Sequence, residues 1–188
     1  MIHDTIRVFA FLGVVGQVLA GLLLVVGLLW LFGLRGPGDG VRRALEGYEL
    51  WLVFLVSSIA TGGSLFFSEI AGFIPCELCW YQRICMYPLT IITLLAALAN
   101  DRRVARYLIP LPLVGAGVSV YHLLVENGVV HQAKACLLSA PGGCATKWIN
   151  EFGYMTIPTL ALTAFVLCLE CLVLGTTPPI SAATVNER

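Results

Sequence analysis

Two closely spaced cysteine pairs are the residues of this chain best placed to do chemistry. Cys76 and Cys79 lie in Pro75-Cys76-Glu77-Leu78-Cys79-Trp80-Tyr81-Gln82-Arg83. Cys136 and Cys144 bracket Leu137-Leu138-Ser139-Ala140-Pro141-Gly142-Gly143. Pro75 suits the first turn of a helix, so Cys76 and Cys79 are expected in that turn, three residues apart on one face. Free backbone N–H groups and the positive dipole end favour a thiolate there, which makes the spacing a redox arrangement. Arg83 follows Cys79 by four residues and should lie one turn deeper on nearly the same face. There it could stabilise a thiolate or the oxygen of a reduced quinone, and Gln82 could hydrogen-bond a carbonyl. The plainer alternative is a structural disulfide beside an arginine that snorkels to the surface. Zinc would need more thiolate or imidazole ligands. Covalent haem would need a histidine where Trp80 stands.

The Pro141-Gly142-Gly143 turn makes closure between Cys136 and Cys144 feasible. Such a loop is either a structural staple or a flexible, solvent-facing bridge open to attack by a thiol of a soluble partner. His122 has Glu126 one turn further on the same face, and an ionisable residue in an apolar segment is a functional candidate. It could relay one of the two protons that quinone reduction consumes, or simply pack. Cys168 and Cys171 repeat the Cys-x-x-Cys spacing.

The elements that must position these groups are membrane helices. Of 188 residues, 59% are hydrophobic and 12% charged, and mean hydropathy is +0.90. Eleven basic residues balance eleven acidic ones, which argues against a nucleic-acid binder. Five runs lack any charge: Val8–Leu34, Leu50–Ser68, Ile84–Asn100, Tyr107–Val125 and Phe152–Leu169. Each, with its apolar flanks, is long enough to cross a bilayer core of ~30 Å. The first run is far longer than the apolar stretch of a signal peptide, so a retained helix is expected. Arg35, Arg42 and Arg43 lie in one loop, and Arg102, Arg103 and Arg106 in the next loop on the same side. The positive-inside rule makes that side cytoplasmic, with the N-terminus outside and the C-terminus inside. Both cysteine pairs then face the oxidising compartment, whereas Cys168 and Cys171 lie towards the reducing side, where packing is the better reading. Cys85 should face away from Cys79 and pack as well. Lys147 to Phe152 suits a short interfacial helix or loop on the outer surface.

Three stretches carry a family resemblance: Gly63-Ser64-Leu65-Phe66-Phe67-Ser68-Glu69-Ile70, Phe73 through Arg83, and Met86-Tyr87-Pro88-Leu89. They resemble the DsbB family of disulfide-forming membrane proteins, and most of all its Gram-positive BdbC branch. Ile149-Asn150, Phe152-Gly153 and Thr156-Ile157-Pro158 are similar to that branch too. The resemblance implies an all-α membrane protein with a four-helix DsbB-type bundle over residues 50–175. It leaves an extra transmembrane helix and cytoplasmic loop at 1–49 and a cytoplasmic tail at 176–188. It implies a bacterial cytoplasmic-membrane enzyme that reoxidises an extracytoplasmic thioredoxin-fold thiol oxidase of DsbA or BdbD type. Cys136 would form the mixed disulfide with that partner, and Cys144 would bridge transiently to Cys76. Cys79 would sit against a quinone, menaquinone or ubiquinone, with Arg83 nearby. Two readings compete. A vitamin-K-epoxide-reductase-like protein would place its quinone-proximal pair after the loop pair, the reverse of the order here. A Cys/His binder of a soft metal such as Cu(I) would need free thiolates.

Overall fold

The computed structural model describes residues 2–32 and 35–176. The tail from 177 onward therefore lies outside the described residues. The structure is helical, with α1 at Ile2–Leu31, α2 at Arg35–Leu45, α3 at Glu49–Leu65 and α4 at Glu77–Leu98. Then come α5 at Ala105–Leu108, α6 at Pro110–Glu126, α7 at Lys134–Ser139 and α8 at Ile157–Thr176. Five segments are long and apolar enough to cross a membrane: Ile2–Trp30, Glu49–Ile70, Glu77–Leu98, Arg102–Glu126 and Ile157–Gly175. This is the expected bundle of four helices with a fifth at its N-terminal end, and α1 packs against α8.

Element ends differ from the charge-free runs wherever local backbone chemistry outweighs hydropathy. α4 begins seven residues before its charge-free run and carries Glu77 and Arg83 inside the helix. Pro75 lies outside it, with Cys76 as the N-cap rather than a first-turn residue. α8 begins at Ile157, not near Phe152. Residues 151–155 form a tight turn instead, closed by a Glu151–Met155 bridge, with Phe152 and Gly153 both at positive φ. Pro158 then falls in the first turn of α8, where a missing N–H costs nothing. Pro110 separates α5 from α6, since a proline ring cannot follow an unbroken helix without losing a backbone hydrogen bond. Pro88 is accommodated within α4.

The core lies between α3, α4, α6 and α8, around Leu50, Val53, Leu89, Phe165 and Leu172. Phe165 is wholly buried because Gly115 makes room for it: a Cβ there would lie 2.3 Å from the ring. At one end of the bundle Glu49, buried at the start of α3, is ion-paired with Arg102 and accepts the Gly47 N–H at 2.7 Å. A buried carboxylate needs such partners. This pair holds the loop after α2 beside the loop between α4 and α5, so Arg102 and the turn following Arg42 and Arg43 share an end, as the charge count requires.

Candidate redox site

The opposite end holds Cys76, Cys79, Cys136 and Cys144. Cys76 has extended backbone angles, φ −77° and ψ 173°, as an N-cap must, and its Sγ accepts the Cys79 N–H at 3.3 Å. The two sulfurs are 2.8 Å apart and unbridged. The next free N–H of α4, that of Glu77, donates to Ser139 Oγ at 3.1 Å, and Ser139 Oγ donates to Cys136 O at 2.9 Å. One hydroxyl thus joins the first turn of α4 to α7, the short helix that carries Cys136.

Cys136 and Cys144 form a disulfide. The bridge is not solvent-facing, as a flexible loop open to thiol attack would be. Cys136 and Cys144 are 2% and 1% exposed, because α7 and the 143–145 turn fold down onto Cys76, Leu78 and Val125. Gln132 holds that turn from the far side, its Oε1 accepting the Cys144 N–H at 3.0 Å. What faces out is the flank of α7, where Leu138 is 88% exposed.

His122 joins the two pairs. Its Nε2 lies 3.1 Å from Cys144 O and 3.7 Å from Cys76 Sγ. A carbonyl oxygen only accepts, so Nε2 carries the proton, and that N–H also points at the sulfur. The Cys76 thiol is held well below its ordinary range, first by the hydrogen bond from Cys79 and then by His122, against an opposing effect of burial. His122 Nδ1 and Glu126 Oε1 are buried without a protein partner and border one small cavity. The other Glu126 oxygen accepts from Thr156 Oγ1 at 2.9 Å.

Cys79 opens onto a larger cavity of about 290 Å³, together with Gln82 and Arg83. Arg83 Nε donates to Ser64 Oγ and its Nη2 to Ser64 O, both at 2.9 Å, and the guanidinium stacks 5.2 Å above the Trp80 ring. These contacts hold a cation inside a span, where an unpartnered one would be costly. Gln82 Nε2 donates to Ser119 Oγ at 3.1 Å. The rest of the lining is largely apolar and aromatic, with Phe67, Phe73 and Trp148 in a stacked row. His122 is not among the lining residues; it stands against Cys76 and Cys144 instead. The sequence reading did not find Ser64 or Ser119 as the holders of Arg83 and Gln82, because a serine facing another helix has no spacing signature within its own.

The family model described as "Disulfide bond formation protein DsbB" matches residues 48–175. The chain belongs to the DsbB family. Among its relatives is disulfide bond formation protein C of Bacillus subtilis, 44% identical over 135 residues, which cover 68% of this chain and 91% of that protein. A probable disulfide formation protein C 1 of Bacillus anthracis is 40% identical over 69% of this chain and 93% of its own length. A probable disulfide formation protein of Deinococcus radiodurans is 43% identical over 66% and 86%. No solved structure matches. The family match begins at residue 48, so α1 and α2 lie outside it.

Proposed function

We propose that this DsbB-family membrane protein is a thiol:disulfide oxidoreductase that reoxidises an extracytoplasmic thioredoxin-fold dithiol oxidase and passes the electrons to a membrane quinone. We assign catalysis to Cys76, Cys79, Cys136 and Cys144, with residues 50–175 as the redox unit, 1–49 as an added helix and loop, and 176–188 as a tail. The carrying observation is the line of contacts from the Cys136–Cys144 disulfide, where His122 meets Cys144 O, to Cys76 and Cys79 and on to the cavity beside Arg83. The protein would lie in the bacterial cytoplasmic membrane with this end outside and Arg102 inside.

A thiolate of the reduced partner attacks Cys136 Sγ; the Cys136–Cys144 bond breaks and Cys144 leaves as thiolate. The partner's second thiolate attacks the mixed disulfide, so the partner leaves oxidised and Cys136 is freed. With the first pair oxidised, Cys144 then attacks Cys76 Sγ and Cys79 leaves as thiolate. Attack of Cys136 on Cys144 restores the second bridge and frees Cys76. Two electrons have moved to the first pair without a cofactor. His122 stabilises Cys76 as thiolate and holds Cys144 beside it. A bound quinone supplies a two-electron, two-proton sink. The apolar, aromatic cavity fits such a ring, and Arg83 and Gln82 would hold its oxygens while Cys79 faces it. Because the second bridge is buried, the partner must lift α7, and the exposed Leu138 is its natural handle.

Purified protein mixed with a reduced dithiol partner and a quinone, followed by quinone absorbance, tests this reading. Steady consumption of quinone is expected, and none at any partner concentration would reject it. A second reading rests on one observation: ligand atoms of Cys76, Cys79 and His122 lie within 4.8 Å of one another. Such a set suits a soft cation such as Cu(I) when both thiols are reduced. Tight stoichiometric binding of Cu(I) with no quinone consumption would favour it.

A further inference from the structure

We infer that α1, the helix outside the family match, is the membrane-side wall of the acceptor cavity, and that the slot between α1 and α3 is the door through which a prenylated quinone enters. The inference rests on the quinone reading above and adds how the acceptor reaches the site.

α1 turns one face to the cavity, contributing Phe9, Leu12, Gly13, Val15, Gly16 and Leu19 to its lining. This spacing of three and four residues is that of a single helix face. The face is fixed at the back and at the top. At the back Gly13 lets α1 close on α8: a Cβ there would lie 2.3 Å from Leu160. Gln17 Oε1 accepts from Tyr154 Oη at 3.1 Å. At the top Phe9 covers Gly63 of α3, where a Cβ would lie 3.0 Å from its ring. The ring also packs on Phe66 and Phe67 at 5.9 and 5.6 Å between centroids. Nearer the middle of the span the two helices face each other across the cavity. There Val15 and Leu19 of α1 and Ile59 of α3 all line the cavity and remain 40%, 50% and 42% exposed. Residues that line a cavity and also face outward mark its mouth, and in a membrane this mouth opens to lipid.

The occupant follows from size and chemistry. Cys79 and Arg83, both on α4, line the cavity and call for the reducible ring. A cavity of about 290 Å³ lies at the small end of ligand pockets and has no room for a long isoprenoid chain besides the ring. The chain must therefore leave through the mouth, between Val15, Leu19 and Ile59, into the lipid.

The test uses the full chain with a fully substituted benzoquinone bearing a long prenyl tail, and with the same ring carrying methyl in its place. The readout is the ratio of the two KM values. Val15→Trp and Ile59→Trp should each raise that ratio at least about tenfold, comparable to losing roughly two buried methylenes of tail. Phe11→Trp, on the outward face of α1, should leave it unchanged. A ratio within about twofold of the unaltered protein's in both slot variants would overturn the door. Should the tryptophans disturb folding, the unaltered protein can be labelled with a prenylated quinone carrying a tail diazirine. Labelling of α1 and α3 near residues 15–19 and 56–59 supports the door; labelling confined to α4 and α6 overturns it. If the unaltered protein reduces neither quinone, the acceptor reading fails, and the door with it. If both are reduced and the ratio stays fixed, the door alone fails.

Discussion

The chain contains the same spacing twice, Cys76-x-x-Cys79 and Cys168-x-x-Cys171, and the two regions have nothing else in common. The first straddles a helix start: Cys76 is the N-cap in extended conformation, and its sulfur meets a backbone N–H, a second thiol and an imidazole. The second lies inside α8. There Cys168 and Cys171 are buried in the main core beside Val53 and Leu172, and the polar contact shown for Cys168 Sγ is a 4.0 Å approach to Val53 O. Inside a helix every nearby N–H is already bonded to a carbonyl, so none is left to stabilise a thiolate. Chemistry follows from what meets the sulfurs, and spacing supplies only the opportunity.

The largest expected effect tests that contrast directly. Cys79→Ser and Cys136→Ser should each abolish partner-dependent quinone reduction. Cys136→Ser should still let a small dithiol reduce the first pair, since the line is cut only at its entry. Assays with the protein partner and with dithiothreitol distinguish the two variants. Normal partner oxidation by Cys136→Ser would reduce the second bridge to a staple.

Next in size is Arg83→Met. It removes charge-assisted donors beside the cavity, worth about 1.5–3 kcal/mol, or roughly 10- to 150-fold. The loss should appear as a raised KM for quinone with partner binding unaltered. Lysine should restore it only in part, because an ammonium lacks the planar fork that spans Ser64 Oγ and Ser64 O. A normal quinone titration for Arg83→Met would reduce this arginine to a membrane-surface anchor.

Much of this could be read in the chain, and the gaps have a common cause. Five spans, both loop cysteine pairs at the end opposite Arg102, and Gln82 and Arg83 within a turn of Cys79 are legible from hydropathy, charge asymmetry and local spacing, which are all short-range signals. The burial of the second bridge is not legible, because Pro-Gly-Gly signals a turn but says nothing of what the turn lies against. His122 was singled out as an ionisable residue in a span. Its contact with Cys144 O pairs residues far apart in sequence, and only the packing of α6 under the 143–145 turn reveals it. Ser64 was hidden for the same reason, as was the face α1 turns to the cavity.

His122→Ala should have a moderate effect with a pH signature. The reduced Cys76 thiol is held below its ordinary range, so its alkylation should persist at pH values where a free cysteine has become slow. His122 is the second of the two favourable influences after Cys79, so its removal should move the midpoint upward without restoring the ordinary value. At a pH below the new midpoint the rate should fall about fivefold, the equivalent of one ordinary hydrogen bond. His122→Gln, which keeps a donor, should fall between. An unmoved midpoint in the alanine variant would make His122 a packing residue for the second loop.

The smallest effect completes the comparison. Cys168→Ala with Cys171→Ala removes a whole Cys-x-x-Cys pair, and if spacing conferred activity it should be as damaging as loss of Cys79. The structure predicts otherwise. Both sulfurs lie in the apolar core that α3 and α8 share, and the cavity beside Cys79 has neither among its lining residues. Quinone reduction should remain near the unaltered rate. What should change is stability, by roughly 1 kcal/mol for each deleted sulfur, because a packed core loses contacts it cannot wholly recover. A small fall in the midpoint of thermal unfolding in detergent, with turnover per folded molecule unchanged, is the expected result. A loss of turnover in the folded double variant would mean that electrons or protons pass through the C-terminal half of α8, and the division between a reactive helix start and an inert helix interior would not hold.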